Sequence, residues 1–252
     1  MRIIISPAKK MNMDTDSFAC RELPQFLSET ALLCERLQAM SYADLKALWR
    51  CNDQIAQQNV ARLQTMDLYE NLTPALMAYE GIQYQYMAPG VFTVQELAYV
   101  EEHLRILSGF YGVLRPFDGV TPYRLEMQAK LSMGKAKDLY SFWGDNIARA
   151  LFAETDCIIN LASQEYSRCV SRYVPRGVHF VTCVFGERKG DTIIEKGTLC
   201  KMARGEMVRY MAEHRIDAPE QLCSFDRLSY RFAPERSDPA TYVFVKEGRS
   251  GV

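Results

Sequence analysis

The chain has 252 residues, 48% hydrophobic and 24% charged, which is typical of a globular protein large enough to bury a full core. Its 30 basic and 31 acidic residues nearly balance, so the net charge indicates no particular partner. Its eight cysteines include no Cys-x-x-Cys pair, which excludes the usual zinc site and the disulfide framework of a small secreted protein. Only three aliphatic residues precede Ser6, and no later stretch approaches ~18 apolar residues. We therefore expect a cytosolic protein without a membrane partner.

The predicted elements begin with a strand, Arg2–Ile5, which ends at Ser6-Pro7 because proline lacks an amide donor. Spacing and capping residues then predict five helices, Pro24–Met40, Tyr42–Trp49, a segment from the Asn52 cap to about Met66, Ala75 to about Tyr79 after a Thr73-Pro74 cap, and Thr93–Leu107 with a Thr93/Glu96 capping box.

The second half alternates strands with helices. Apolar runs predict strands at Cys157–Leu161, Val178–Phe185, Thr192–Glu195 and Tyr242–Lys246, and helical patterns cover Ser141–Ala153, about 164–171 and about 199–215. This order predicts a mixed α/β fold, a single domain over residues 1–252 with a mixed central sheet surrounded by helices.

Charge is unevenly distributed along the chain. Residues 1–102 hold 8 basic and 13 acidic residues, residues 103–137 hold 6 and 2, and residues 166–215 hold 10 and 5. If the last two segments meet in the fold, a basic cleft forms on a nearly neutral protein and attracts a polyanion locally. The alternative is ordinary solvated helix faces.

Polar groups follow two of the predicted strands, Lys9 after the first and Ser163, Gln164 and Glu165 after Cys157–Leu161. Open α/β sheets bind ligands at the carboxyl ends of their strands, and a helix amino terminus favours anions. If the two strands are parallel neighbours, Lys9 and the helix start at Ser163 and Gln164 share one anion-binding cleft. Otherwise Ser163 simply caps its helix and Lys9 is solvated.

Three further segments are candidates for contacts with nucleic-acid phosphates. Arg105 and Arg115 flank a turn between Gly109 and Gly112 whose exposed amides would contact phosphates, and the alternative is an ordinary helix end. Arg124 lies near Glu126 in the sequence, and the alternative there is a structural Arg–Glu pair. The helices joined at 50–52 resemble a helix–hairpin–helix in outline, although a core αα-hairpin is favoured because a Gly-x-Gly hairpin is missing. The cations of the last long helix, which we expect to lack acidic neighbours, are Lys201, Arg204 and Arg209.

The motifs of P-loop, dinucleotide-binding and zinc-protease sites are absent from the sequence, and its three histidines lack ligand spacing. We therefore predict no metal site and no cofactor. Cys169, beside Arg168, and Cys200, beside Lys201, are the best candidates for a redox-active thiol, although buried, inert cysteines are the more usual outcome.

Several long strings resemble the bacterial peroxide-stress family typified by YaaA. They are Ile-Ile-Ser-Pro-Ala-Lys at 4–9, His-Leu-Arg-Ile-Leu-Ser-Gly-Phe-Tyr-Gly-Val-Leu-Arg-Pro-Phe-Asp at 103–118, Pro-Tyr-Arg-Leu-Glu-Met at 122–127, Lys-Asp-Leu-Tyr-Ser-Phe-Trp-Gly-Asp at 137–145, Asn-Leu-Ala-Ser-Gln-Glu-Tyr at 160–166 and Ala-Arg-Gly-Glu-Met at 203–207. The resemblance implies a positively charged cleft, DNA binding, and a role in limiting free intracellular iron and oxidative DNA damage.

Two functions follow as expectations. The first is a stress-response protein, more a binding protein than an enzyme, that binds duplex DNA non-specifically through a basic cleft. The alternative is an enzyme acting on a nucleotide or nucleic-acid base, with Lys9, Arg124, Ser163 and Glu165 in one cleft and Lys9 and Glu165 as its catalytic pair.

Overall fold

The computed structural model describes residues 1–247 of the chain. Its strands are β1 (Arg2–Ile5), β2 (Lys10–Met11), β3 (Thr73–Pro74), β4 (Tyr79–Glu80), β5 (Leu104–Ser108), β6 (Gly112–Leu114), β7 (Gly119–Val120), β8 (Cys157–Leu161), β9 (His179–Lys189), β10 (Thr192–Ile194), β11 (Tyr230–Phe232) and β12 (Thr241–Lys246). Its α-helices are α1 (Leu27–Gln38), α2 (Tyr42–Trp49), α3 (Asp53–Gln64), α4 (Ala75–Ala78), α5 (Ile82–Met87), α6 (Val94–His103), α7 (Leu139–Trp143), α8 (Asn146–Glu154), α9 (Gln164–Ser171) and α10 (Gly197–His214).

An eight-stranded mixed sheet organises the fold. Its order is β11-β12-β9-β8-β1-β5-β6, and β10 pairs with β9. The five strands from β12 to β5 are parallel, whereas β11, β6 and β10 pair antiparallel with their neighbours. Short ribbons β2–β4 and β3–β7 lie outside this sheet. The predicted mixed α/β fold class is confirmed.

The centre of the sheet is completely covered. In β1, Ile3, Ile4 and Ile5 have no exposed surface, and they belong to one continuous hydrophobic core. A strand that is buried on both faces is an uninterrupted apolar run, because helices cover both sides of a parallel sheet. The register places Ile3 between Ile159 of β8 and Leu104 of β5.

The structure corrects the predicted helix over Thr93–Leu107. The Thr93/Glu96 capping box forms as expected, but α6 ends at His103 and the chain continues directly into β5. Leu97, Val100, Leu104 and Leu107 keep helical spacing across this boundary, so the local pattern does not mark it. The parallel pairing of β5 with β1 makes the second part a strand.

Two smaller differences have local causes. The helix predicted over Ser141–Ala153 is two helices, α7 and α8, because the chain turns at Gly144, whose φ of 51° is in the left-handed region that favours glycine. The predicted cap Thr73-Pro74 is instead strand β3, which pairs with β7. Within residues 1–247, the structure contains no helix with the length and apolar character needed to span a bilayer.

Candidate functional site

The loops after β1 and β8 meet, because these strands are parallel neighbours. The backbone N–H of Ser163 donates to Ser6 Oγ at 2.8 Å, and Ser6 Oγ donates to Ser163 Oγ at 3.2 Å. Tyr84 Oη donates to the Ser6 carbonyl at 3.0 Å. Ser163 occupies the N-cap position of α9, but its side chain makes no capping bond, so its hydroxyl serves this contact between loops instead.

Four charged side chains gather beside these loops, and we call them the carboxylate cluster: Lys9, Arg124, Glu126 and Glu165. Lys9 Nζ lies 2.9 Å from Glu126 Oε2, and Arg124 Nη2 lies 3.6 Å from Glu126 Oε1. Glu165 Oε1 accepts a hydrogen bond of 3.2 Å from the backbone N–H of Gln128. Lys9, Arg124 and Glu165, which the sequence analysis places in one cleft with Ser163, therefore lie near Glu126. Of these four predicted residues, only Lys9 lines the cleft described next.

The two carboxyl groups of the cluster have different surroundings. Burial raises the pKa of Glu165, and the negative charge of Glu126 adds to the rise, while backbone donors and Lys9 oppose it. Glu126 is instead held between two cations. A half-buried carboxyl with a raised pKa therefore lies next to a carboxylate whose charge is compensated by two cations.

A cleft of about 730 Å³ opens next to the cluster, and we call it the basic cleft. One wall comes from α1 and α2, and the other from Lys9 and the segment 126–130. Its basic side chains are Lys9, Arg36, Arg50 and Lys130, and its acidic ones are Asp44 and Glu126. Arg36, Arg50 and Lys130 are exposed and form no ion pair with any residue in 1–247, so their charge is available to an anion.

The hairpin between α2 and α3 contributes to both the core and the cleft. Ser41 and Asn52 cap the two helices, accepting N–H bonds of 3.2 Å from Asp44 and 2.9 Å from Ile55. Trp49 is buried, whereas the next residue, Arg50, has a φ of 46° and lines the cleft. The core αα-hairpin favoured from sequence is thus present, and one end of it faces the candidate site.

The predicted site residues Arg105 and Arg115 lie elsewhere. Arg105 is 5% exposed, and its Nη2 donates to Glu154 Oε2 at 2.6 Å, with Arg2 bonded to the same oxygen at 2.8 Å. Its Nη1 donates to carbonyls at the end of α6, including that of Leu104 at 2.7 Å. Arg115 is half-exposed and paired with Glu22. Neither side chain lines the basic cleft.

The turn between Gly109 and Gly112 differs from the expectation that its amides are exposed. It is the hairpin between β5 and β6, not a helix end, and Gly112 has a φ of 74°. The N–H groups of Phe110 and Tyr111 donate to Ser108 Oγ at 3.1 and 2.9 Å, and all three residues are buried. These amides are therefore inaccessible to a phosphate.

The cations of α10 are only partly unpaired. Lys201 is exposed, but Arg204 lies 3.5 Å from Glu195, and Arg209 Nε donates to Glu213 Oε1 at 2.8 Å. The expectation that these residues lack acidic neighbours is wrong, because Glu213 follows Arg209 by one turn and Glu195 reaches α10 from the preceding segment.

Both candidate thiols have unfavourable surroundings for reactivity. Burial raises the pKa of Cys169 to about 12, and its Sγ donates to the carbonyl of Tyr166 at 2.9 Å. Burial likewise raises the pKa of Cys200, more than nearby Arg204 lowers it. A reactive cysteine needs an accessible thiolate, so the structure favours the buried, inert alternative for both.

Comparison with known proteins agrees with the strings noted in the sequence. The sequence profile of the family described as peroxide stress protein YaaA matches residues 1–236. The chain belongs to this family. It is 54% identical over 252 residues to a UPF0246 protein from Lachnoclostridium phytofermentans, covering 100% of this chain and 98% of that protein. It is also 52% identical over 247 residues to a UPF0246 protein from Agathobacter rectalis, covering 98% and 99% of the two chains.

Sequence reasoning missed part of what this family member places in its basic cleft. Arg36 and Arg50 lie in the acidic first third of the chain, where the local charge balance gives no signal for them. Lys130 belongs to the basic segment 103–137 but was not singled out within it. For Arg50, the one local signal is its position at the turn between two helices with capping residues.

Proposed function

We propose that this peroxide-stress family member binds duplex DNA non-specifically through the basic cleft. The observation that carries the proposal is the set of exposed, unpaired cations on opposite walls of the cleft, Arg36 and Arg50 on one side and Lys130 on the other. Phosphate neutralisation by such side chains provides most of non-specific affinity. The end of the α2–α3 hairpin also lies at the cleft, where backbone amides could contact the strand.

The proposal connects the family with protection of DNA. Iron-driven peroxide chemistry damages DNA where the metal and the strand meet, and a bound protein occupies that surface. A role in limiting free intracellular iron, which the family resemblance implies, belongs to the same proposal and is tested by measuring free iron in peroxide-treated cells with and without the protein.

The direct test uses fluorescence anisotropy with a labelled duplex of random sequence over a series of salt concentrations. Four phosphate contacts give a slope of about −3 to −4 for log K against log salt. Arg36→Glu with Lys130→Glu should weaken binding about tenfold or more on every sequence and reduce that slope by about 2.

Lys201→Glu is the matched control, since Lys201 is an exposed cation on α10 and not in the cleft. We expect it to change binding less than twofold. A loss of binding with Lys201→Glu and none with the cleft variant would transfer the function to α10. Binding that is unaffected by salt would exclude a phosphate-based mode altogether.

A further inference from the structure

A second group of exposed cations lies beside the basic cleft, and we call it the α9 face. Its members are exposed and form no ion pair with any residue in 1–247: Lys135, Lys137, Arg168 and Arg172. None of the four lines the basic cleft. Cations without a carboxylate partner keep their charge for an anion, unlike Arg204 and Arg209 of α10, which are paired.

A series of contacts joins the α9 face to the basic cleft. Gln128 lines the cleft, and its backbone N–H donates to Glu165 Oε1 in the first turn of α9 at 3.2 Å. Tyr140 Oη donates to the Glu165 carbonyl at 2.8 Å. The guanidinium carbon of Arg168 lies 5.4 Å from the centre of the Tyr140 ring. The α9 face therefore lies next to the segment that forms one wall of the cleft.

The ring of Tyr140 positions Arg168. A guanidinium over an aromatic face is attracted by the ring quadrupole, and it keeps N–H donors for a phosphate. Burial and the charge of Glu165 raise the pKa of Tyr140, whereas the charges of Arg168 and Arg172 lower it, so both arginines lie near this ring. One helical turn separates the two arginines, about 6 Å along the axis. This spacing is close to two base-pair steps of a duplex, roughly 7 Å.

A tight turn before α7 presents the two lysines of the face. Met133 and Ala136 exchange backbone hydrogen bonds of 2.8 and 2.9 Å, which leaves Lys135 at the tip of the turn. Gly134 has a φ of 56°, in the left-handed region that favours glycine. Lys137 follows the turn directly. The backbone therefore fixes where these two exposed ammonium groups begin.

Two carboxylates near these cations are engaged in local structure. Asp138 caps α7 and accepts bonds from the N–H and Oγ of Ser141 at 2.8 and 2.7 Å. Hydrogen bonds from Ser141 lower the pKa of Asp138, and the charges of Lys137 and Arg168 lower it further, which places both cations near it. Glu165 accepts its bond from the neighbouring backbone. Neither carboxylate forms an ion pair with the α9 face, so the positive charge of the face stays available.

We propose that the α9 face binds the phosphates of a duplex arm that leaves the basic cleft, so that one track of cations follows the DNA backbone. Arg36 and Lys130 hold the duplex at the cleft, and Arg168 and Arg172 hold it along α9. The contacts are to phosphates, which position the duplex without reading its sequence. This inference rests on the proposed function and adds a second group of contacts to it.

The salt dependence of duplex binding measures the number of contacts. Eight phosphate contacts, four from the cleft and four from the α9 face, give a slope of about −7 for log K against log salt, against about −3 to −4 for the cleft alone. Arg168→Glu with Arg172→Glu should reduce the slope by about 2 and weaken binding about tenfold or more on every sequence. Arg168→Lys with Arg172→Lys keeps both charges and should keep the slope.

Two controls separate the track from general charge and from folding. Lys189→Glu reverses an exposed cation at the end of β9 and should leave affinity and slope unchanged. Tyr140→Leu removes the ring under Arg168 and should weaken binding about two- to fivefold with the slope unchanged, because no charge is lost. Tyr140→Phe keeps the ring and should bind as the wild type does. Thermal melts check that each variant folds.

The outcomes separate the two proposals. Unchanged affinity and slope in Arg168→Glu/Arg172→Glu, with a loss in the cleft variant Arg36→Glu/Lys130→Glu, overturns the α9 face and leaves binding at the cleft standing. A loss in the α9 variant with none in the cleft variant supports the α9 face and rejects the cleft. Equal weakening by Tyr140→Leu and Tyr140→Phe overturns the positioning role of the ring. A wild type without salt-dependent duplex binding rejects both proposals.

Discussion

The basic cleft and the exposed face of α10 both carry several cations, but they hold them differently. In the cleft, Arg36 and Lys130 lie on opposite walls, and neither has a carboxylate partner among residues 1–247. On α10, Arg204 and Arg209 contact Glu195 and Glu213. The difference shows that a count of basic residues along the chain does not measure available positive charge, because pairing is decided by neighbours that are distant in sequence.

Arg105 is the extreme case of a compensated cation, and its removal should have the largest effect on stability. Arg105→Met leaves Glu154 half-buried with Arg2 as its remaining partner and leaves carbonyls at the end of α6 without a donor. Breaking a buried pair from one side costs roughly 3–5 kcal/mol. Urea unfolding of the wild type and of Arg105→Met measures this loss of unfolding free energy. A loss below ~1 kcal/mol would show that the Arg105–Glu154 contact contributes little to stability.

Arg115→Met is the matched control for that experiment. Arg115 comes from the same basic segment, but it is half-exposed and its pair with Glu22 is on the surface. Surface pairs contribute about 0–1 kcal/mol. Duplex binding should be unchanged in Arg115→Met, since this side chain lies outside the basic cleft.

The next largest effect on stability is expected from the buried carboxyl group of Asp118. It is the acidic counterpart of the buried cation Arg105. Burial raises the pKa of Asp118 to about 7, more than the backbone N–H of Arg115 at 2.8 Å lowers it. The folded state therefore binds this proton more tightly than the unfolded state, in which the pKa is near 3.8. The resulting stability is fully present below pH ~4 and is lost as pH rises through about 7.

Asp118→Asn keeps an oxygen for the Arg115 amide and removes the charge. Relative to the wild type, the variant should gain stability between pH 4 and 7, at about 1.4 kcal/mol for each pKa unit of the shift, and retain that gain at pH 8. Glu70→Gln, which removes an exposed carboxylate that does not contribute to the shift of Asp118, should leave the slope unchanged. Parallel wild-type and Asp118→Asn curves of unfolding free energy against pH would contradict the assignment.

The smallest of the three expected effects on stability concerns the packing of α10 against α5. Gly205 packs against α5 so closely that a Cβ would lie 2.1 Å from the carbonyl oxygen of Gln83. Gly205→Ala should therefore cost about 1–3 kcal/mol through overpacking. Gly197→Ala, at the start of the same helix with no atom within 4 Å of its Cβ, is the control and should be neutral or stabilising. Equal melting temperatures for the two variants would refute this packing.

Some elements could be predicted because their information is local. The bounds of β1, α2 and β8 agree with the apolar runs and caps in the sequence. β5 was missed, since its apolar residues continue the helical spacing of α6 and only pairing with β1 distinguishes the two. The approach of Lys9 to the start of α9 could be predicted because the carboxyl ends of neighbouring parallel strands, here β1 and β8, lie at the same edge of the sheet.

The sequence by itself determined the fold class, the family and the bounds of elements such as β1, α2 and β8, because periodicity, capping residues and long characteristic strings act over short distances. Only the tertiary structure decided which charges are free. Glu154 compensates Arg105 from 49 residues away, while Arg36 and Lys130 meet across one cleft from segments that differ in charge balance. Electrostatic pairing and burial depend on distances in space, which sequence separation does not report.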